Sequence, residues 1–368
     1  MPVPNIFYPN IFNESEIEMT DIPNRVACAP RLVSWNITLR CPLKCSHCYA
    51  KAGENESAGV LSTDEALAVI DQIRDVGTPI VVLSGGEPLM RDDLCTIARY
   101  GTDRGLPMVM GTSGYILDHS MAKRLRDAGI RTVAVSIDSA DPAVHDSFRG
   151  VSGAWERAVQ AIQNCREAGI GVQINMTAMR PSACDVDSVV ELGKDLGVLD
   201  YQVFFPVPTG RAQDSAPLDP WEYEEVIRQV LLNYRDTDVR LRPTCAPQFR
   251  RIAEELGIGD QAWGRGCIAG ISYCRIYADG DVTPCPYLPV SAGNLRTTSF
   301  SKIWYQSPVF SVLRNPDLLT GKCGVCEYRT ICGGCRARAY RGTEAVLHRW
   351  CDGLLQPGAI AGELCSED

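Results

Sequence analysis

The chain has 368 residues, a net charge of -9 and 45% hydrophobic content, enough for one large α/β unit and a smaller domain. The acidic balance argues against a general nucleic-acid partner, and no apolar run reaches the length of a membrane span or follows a basic start as in a secretory signal. These features predict a cytoplasmic protein, and in that compartment 17 cysteines point to metal ligation rather than disulfides.

Residues 1–30 carry scattered Pro, Asn and acidic residues without a sustained period and read as an N-terminal arm. From residue 31, β-rich apolar runs alternate with helical patterns. The first predicted strand, Leu32–Thr38, leads into Cys41-Pro42-Leu43-Lys44-Cys45-Ser46-His47-Cys48-Tyr49. Iron–sulfur clusters are held by thiolates, and a four-iron cube normally takes four of them. This run supplies Cys41, Cys45 and Cys48 at C-x3-C-x2-C, so one iron stays open to an outside ligand. An open position separates a reacting metal site from a closed structural one. The competing zinc reading needs paired C-x2-C units, and none stands beside this run.

A helix is predicted over Thr63–Val76, with apolar Ala66, Val69, Ile70 and Ile73 and a capping box from Ser62 to Glu65. The second strand, Pro79–Ser84, runs into Gly85-Gly86-Glu87-Pro88, where paired glycines admit a ligand close to the backbone and a glutamate can accept from an ammonium. Predicted helices Arg91–Arg104, His119–Ala128, Ala154–Ala168, Val186–Leu196 and Trp221–Tyr234 follow. Gly105, Gly129, Gly169 and Gly197 stop several of them. They alternate with strands Pro107–Thr112, Thr132–Ile137, Gly171–Thr177 and Tyr201–Val207. Six β/α repeats imply a parallel sheet curled into part of a barrel, with ligands at the C-terminal strand ends. Ser113, Ser136 and Asp138 fall at those ends, and Gln173, Asn175 and Thr177 alternate along the fifth strand toward one face.

Beyond residue 266 the composition changes. Cys267, Cys274, Cys285, Cys323, Cys326, Cys332, Cys335 and Cys351 put eight cysteines into 85 residues, enough for two fully ligated clusters or, on C-x2-C spacing alone, a pair of zinc ribbons. Of the others, Cys95 and Cys165 sit in helical patterns as packing thiols, and Cys28 shares a Cys-Ala-Pro sequence with Cys245. Cys245 lies between the two parts in Cys245-Ala246-Pro247, placed either to pack in a turn or to face the substrate as an iron ligand or hydrogen donor.

The cysteine run followed by an aromatic residue, with Gly85-Gly86-Glu87-Pro88 one β/α unit later, resembles the radical S-adenosylmethionine (SAM) superfamily. The cysteine order after residue 266 resembles the SPASM domain that extends many of its members. The resemblance implies an α/β fold, a partial (β/α)6 TIM-like barrel with a cysteine-rich C-terminal iron–sulfur domain. Its bounds would be 31–240 for the barrel, 241–266 for a bridging segment, 267–351 for the SPASM domain and 352–368 for a tail. It implies a [4Fe–4S] cluster whose open corner takes SAM, cut on one-electron reduction to a 5'-deoxyadenosyl radical, with one or two auxiliary clusters. By the same resemblance, Gly85, Gly86, Glu87, Pro88, Ser113, Ser136, Asp138 and Arg149 contact SAM, and Asn175, pointing into the barrel interior, is expected to join them. One auxiliary cluster would use Cys267, Cys274, Cys285 and Cys335, the other Cys323, Cys326, Cys332 and Cys351. The spacing before Cys335 is x2 where the family has x3.

Cys28-Ala29-Pro30-Arg31-Leu32-Val33-Ser34-Trp35, Val207-Pro208-Thr209-Gly210-Arg211 and Cys332-Gly333-Gly334-Cys335-Arg336-Ala337-Arg338 further resemble the alternative heme and heme d1 biosynthesis enzymes. That group implies an iron-tetrapyrrole substrate, foremost decarboxylation of Fe-coproporphyrin III propionates, and a reduced ferredoxin or flavodoxin as donor. An acidic protein needs arginine forks for a tetracarboxylate, and Arg211, Arg242, Arg250, Arg251, Arg265, Arg336 and Arg338 lie in suitable segments. Axial imidazoles for heme iron are confined to His47, His119, His145 and His348. A heme d1 or siroheme side-chain-modifying radical SAM enzyme, a peptide-modifying SPASM maturase and a pure electron carrier are the rival readings. A carrier has no need of a SAM site, and the N-terminal arm is short for a peptide-binding wing.

Overall fold

The computed structural model describes residues 28–180, 182–213, 218–258 and 264–340. Cys351, Cys365, His348, residues 1–27 and the C-terminal tail therefore lie outside the described residues.

Strand β1 (Leu32–Asn36) is buried along its length: Val33 and Trp35 face the helices, Leu32 and Ser34 the barrel interior. Helix α1 (Thr63–Val76) has its capping box, with Ser62 Oγ accepting from Glu65 N at 3.2 Å and Glu65 Oε2 from Ser62 N at 2.8 Å. Then come β2 (Ile80–Ser84), α2 (Leu94–Asp103), β3 (Met108–Thr112), α3 (His119–Asp127) and β4 (Thr132–Ser136). After β4 two helices follow in succession, α4 (Pro142–Arg149) and α5 (Ala154–Glu167). The series continues with β5 (Gly171–Thr177), α6 (Val186–Asp195), β6 (Asp200–Phe204), α7 (Pro220–Asn233), β7 (Arg240–Thr244) and α8 (Phe249–Glu255).

The C-terminal part supplies β8 (Tyr273–Ile276), β9 (Asp281–Thr283), β10 (Gly293–Asn294), α9 (Phe300–Gln306), α10 (Pro308–Arg314), α11 (Gly321–Val325) and α12 (Arg336–Tyr340). Among the described residues the strands form one ten-stranded sheet ordered β10-β9-β8-β1-β2-β3-β4-β5-β6-β7. Strands β1 to β7 run parallel, β8 joins β1 in parallel register with Leu32 opposite Tyr273, and β9 and β10 turn back antiparallel. The fold is an α/β partial barrel, open among the described residues between β7 and the β10 edge.

Two strands extend the six-repeat expectation. β7 reads Arg-Leu-Arg-Pro-Thr, without apolar alternation, and joins the sheet beside β6 with Arg240 paired to Asp200. β8 comes from the cysteine-rich part, so the cavity behind β1 is walled by both halves of the chain. The main core packs the helices on the outward residues Val33, Trp35, Val81, Leu83, Met110 and Val135. A smaller one, with Leu32, Ile80, Val82, Val109 and Ala134, plugs the barrel floor. Cys165 sits in the main core and Cys95 packs at its edge. Cys184 is disulfide-bonded, against the expectation of thiols and metal ligands alone.

Candidate active site

Past the end of β1 the chain turns into the cysteine loop, held by backbone on three sides. Cys41 N donates to Gly53 O at 2.6 Å, and Lys44 N and Ser46 N donate to Arg149 O and Phe148 O at the end of α4. Gly150 is left-handed (φ 72°) there, and a Cβ would stand 2.9 Å from Lys44 O. Arg211 clamps the loop from the far side: Nε donates to Cys45 O at 2.7 Å and Nη1 to Ala52 O at 2.9 Å. It thus positions the loop, where the sequence suggested a carboxylate fork.

Cys41, Cys45 and Cys48 line one wall of a cavity of about 370 Å³. Burial pushes the Cys41 thiol up to about 12 and raises that of Cys45. The donor set is three convergent thiols beside open space, and it fits a cluster held at three corners. His47 stacks on Phe148 at 4.5 Å between ring centroids, and burial holds it neutral.

The Gly85-Gly86 turn sits directly against this loop. A Cβ on Gly85 would lie 2.3 Å from Thr38 O, and one on Gly86 2.3 Å from Arg40 O, so only glycine fits either place. Both glycines border the cavity. Glu87 does not: it is fully buried, accepting from Thr112 Oγ1 at 2.7 Å and from Ser113 Oγ and N at 2.6 and 3.0 Å. The sequence expectation of a carboxylate reaching for an ammonium is corrected here, because Glu87 ties the β2 and β3 loops together. Buried Pro88 opens a 3-10 turn behind it.

Asp138 is also turned away. It is fully buried and accepts from Arg149 Nε at 2.7 Å and from Thr177 N at 3.0 Å. Its own N–H donates to His145 Nδ1 at 3.2 Å, so that nitrogen carries no proton, and burial depresses the imidazole pKa to about 3. Arg149 reaches the cavity, with Nη1 3.9 Å from Cys45 Sγ. Burial opposes its charge, but Asp138 and Cys45 outweigh that and hold its pKa above the usual arginine range. Ser113, Ser136, Asn175, Thr177, Gln202 and Thr244 complete a polar arc on the barrel side, while Gln173 sits behind and donates to Asn175 Oδ1 at 2.6 Å.

Opposite the cysteine loop a second group of thiols faces the same cavity. Cys245, Cys267, Cys285 and Cys335 all line it, and burial first, then the neighbouring Cys335, raises the pKa of Cys245, Cys267 and Cys285. Cys245 has a left-handed backbone (φ 60°) just after β7. Cys274, expected in this group, is instead opposite Val33 on β8, buried in the helix–sheet core beside Arg314. The strand's alternation sends Tyr273 and Arg275 into the cavity and Cys274 away from it. Among the described residues no His/Cys/Asp/Glu group closes on a single ion. Cys323, Cys326 and Cys332 lie outside this cavity's lining.

Of the expected arginines, Arg211 and Arg336 border the cavity. Arg250 and Arg251 pair with Glu254, Glu224 and Glu255, and Arg338 donates to the carbonyls of Cys245, Phe205 and Pro206. Arg242 stands over the Phe249 ring at 5.5 Å. Arg275, on β8, was missed because its strand was not predicted. His119 is exposed beside Glu167 and His145 is locked on Asp138 N, so neither reaches the cavity as an iron ligand.

The family model of the radical SAM superfamily matches residues 35–192, and that of the SPASM iron–sulfur cluster-binding domain matches residues 267–336. An AdoMet-dependent heme synthase of Methanosarcina barkeri is 42% identical over 341 residues, 90% of this chain and 98% of that protein. The Fe-coproporphyrin III synthase of the same organism is 30% identical, covering 82% of each chain. Streptococcus suis SuiB bound to S-adenosylmethionine shares the fold with a TM-score of 0.71 at 18% identity, over 86% of this chain and 75% of that one. The chain belongs to the radical SAM enzymes with a SPASM domain, in the heme-biosynthesis family of the AdoMet-dependent heme synthases. It is accordingly an enzyme that uses an iron–sulfur cluster and SAM, with auxiliary iron–sulfur binding in the SPASM domain. Among the described residues no helix is long and apolar enough to cross a membrane.

Proposed function

We propose that this enzyme oxidatively decarboxylates propionate side chains of Fe-coproporphyrin III to vinyl groups, forming heme b, with a reduced ferredoxin or flavodoxin as electron donor. The observation that carries this reading is the 42% identity to an AdoMet-dependent heme synthase across 98% of that protein. Bound together, the cluster and SAM supply a carbon radical that can take a hydrogen atom from a substrate side chain.

The chain's own residues bind and orient. Cys41, Cys45 and Cys48 would hold the first cluster, and the Gly85-Gly86 backbone would border the SAM amino group. Arg149, steadied by Asp138, would face the SAM carboxylate. Ser113, Ser136 and Asn175 would supply hydrogen bonds to its polar groups. Cys245, Cys267, Cys285 and Cys335 would hold an auxiliary cluster whose chemistry there is acceptance of the electron left after carbon dioxide departs. Cys323, Cys326 and Cys332 would serve a second one with Cys351. The cavity lies within the roughly 300–1,000 Å³ range of enclosed sites, where excluded water protects a radical from side reactions.

The test is anaerobic incubation of the reconstituted enzyme with dithionite, SAM and Fe-coproporphyrin III. The expected result is 5'-deoxyadenosine together with a tetrapyrrole lacking two carboxyl groups. Formation of 5'-deoxyadenosine with an unchanged tetrapyrrole mass would overturn the substrate assignment, and a peptide or siroheme-type substrate would then be sought.

A further inference from the structure

We infer that Arg275 anchors one carboxylate of the substrate. The inference rests on the tetrapyrrole reading above and names where an acid group of that substrate is held.

Arg275 lies on β8 and lines the cavity wall facing the cysteine loop, yet its residue exposure is only 4%. Guanidinium carries five N–H donors. Nη1 donates to Ser34 Oγ at 3.1 Å and Nη2 to Tyr49 Oη, while Nε is buried with no acceptor. The charged groups around it include no carboxylate, and its nearest anions would be the cluster thiolates Cys48 and Cys285. No ion pair to it occurs among the described residues, whereas buried Arg149 has Asp138 and buried Arg250 has Glu254. A buried guanidinium with an unused Nε–H and no carboxylate partner is costly, and a carboxylate arriving in the cavity lowers that cost.

The setting suits an acid group on a flat, apolar body. The Tyr49 ring lies 4.8 Å below the guanidinium and meets Tyr287 edge-on at 5.5 Å, and Tyr49, Tyr273 and Tyr287 all border the cavity. Tyr49 Oη also donates to Asn36 Oδ1 at 3.2 Å, which fixes the ring that orients the arginine. The remaining donors, Nε–H and one hydrogen on each terminal nitrogen, match the two oxygens of a carboxylate.

The experiment is an optical titration of the reconstituted, anaerobic holoenzyme with Fe-coproporphyrin III, comparing the native chain, Arg275→Gln and Arg275→Lys. Loss of one charge-assisted pair predicts a Kd raised about ten- to a hundred-fold in Arg275→Gln, partly recovered in Arg275→Lys. SAM affinity and the electron paramagnetic resonance spectra of all clusters should be unchanged. Native affinity in Arg275→Gln would overturn the assignment. A shifted auxiliary-cluster spectrum with native Kd would also overturn it, making Arg275 a counter-charge for that cluster. Should the native enzyme itself fail to bind the tetrapyrrole, the functional reading falls first and takes this assignment with it.

Discussion

Single residues in this site divide into those that face the cavity and those that hold them. Asp138 belongs to the second kind, since it orients Arg149 and pairs its charge. Asp138→Asn leaves a buried guanidinium unpaired and is expected to cost about 3–5 kcal/mol of stability. It should also weaken SAM binding about ten-fold, read by anaerobic equilibrium dialysis, and unchanged SAM affinity would remove Arg149 from the SAM site. His145 behind them gives a pH signature. Its folded pKa of about 3 lies below the unfolded value of roughly 6.5. The unfolded chain therefore takes up a proton that the native chain refuses, and stability falls as pH drops through that value. From pH 6.5 to 5.5 this group alone should remove about 1 kcal/mol. His145→Asn keeps an acceptor for Asp138 N and should show a shallower decline in denaturant titrations. A parallel decline would mean that His145 is not held neutral. The motif letters singled out Cys41, Cys45, Cys48, Gly85 and Gly86, all of which line the cavity. They could not say that Glu87 and Asp138 point inward, because which way a loop carboxylate turns depends on neighbours such as Ser113 and Arg149 that only the fold assembles.

Among the elements, those with strong period or caps were legible and those defined by their partners were not. The Ser62–Glu65 capping box and the buried positions of α1 emerged as expected. Helix α4 escaped notice despite Asp141 before Pro142 and Gly150 at its end, because eight residues carry too little period. β7 and β8 escaped for another reason: Arg-Leu-Arg-Pro-Thr and Tyr-Cys-Arg-Ile become strands through pairing with β6 and β1, not through propensity. The error over Cys274 follows directly, since which thiols converge is set by β8 alternation. Cys274→Ser should keep the native iron content, while Cys245→Ser should lose iron and change the auxiliary-cluster resonance spectrum. Iron analysis of both variants decides between the two ligand sets, and the reverse pattern would restore Cys274.

At the level of the whole molecule, the seam between the two halves runs through the sheet itself. Leu32 to Trp35 pair with Ile80 to Leu83 on one side and with Tyr273 to Ile276 on the other. A chain ending at residue 266 would leave buried β1 as an unpaired edge, a template for association. It should therefore aggregate and fail to retain the first cluster, although that cluster's three cysteines are all present. Light scattering and iron content after anaerobic reconstitution check this, and a monomeric, iron-loaded fragment would show that the barrel half stands alone. The same pairing has a consequence in the cell. Ser34 leaves the ribosome 241 residues ahead of Arg275, its partner across the strand. At roughly 5–20 residues per second, the nascent strand waits on the order of ten to fifty seconds for its neighbour. During that interval chaperones would have to shield it, and oxygen-sensitive loading of the first cluster would have to be delayed until translation is nearly finished.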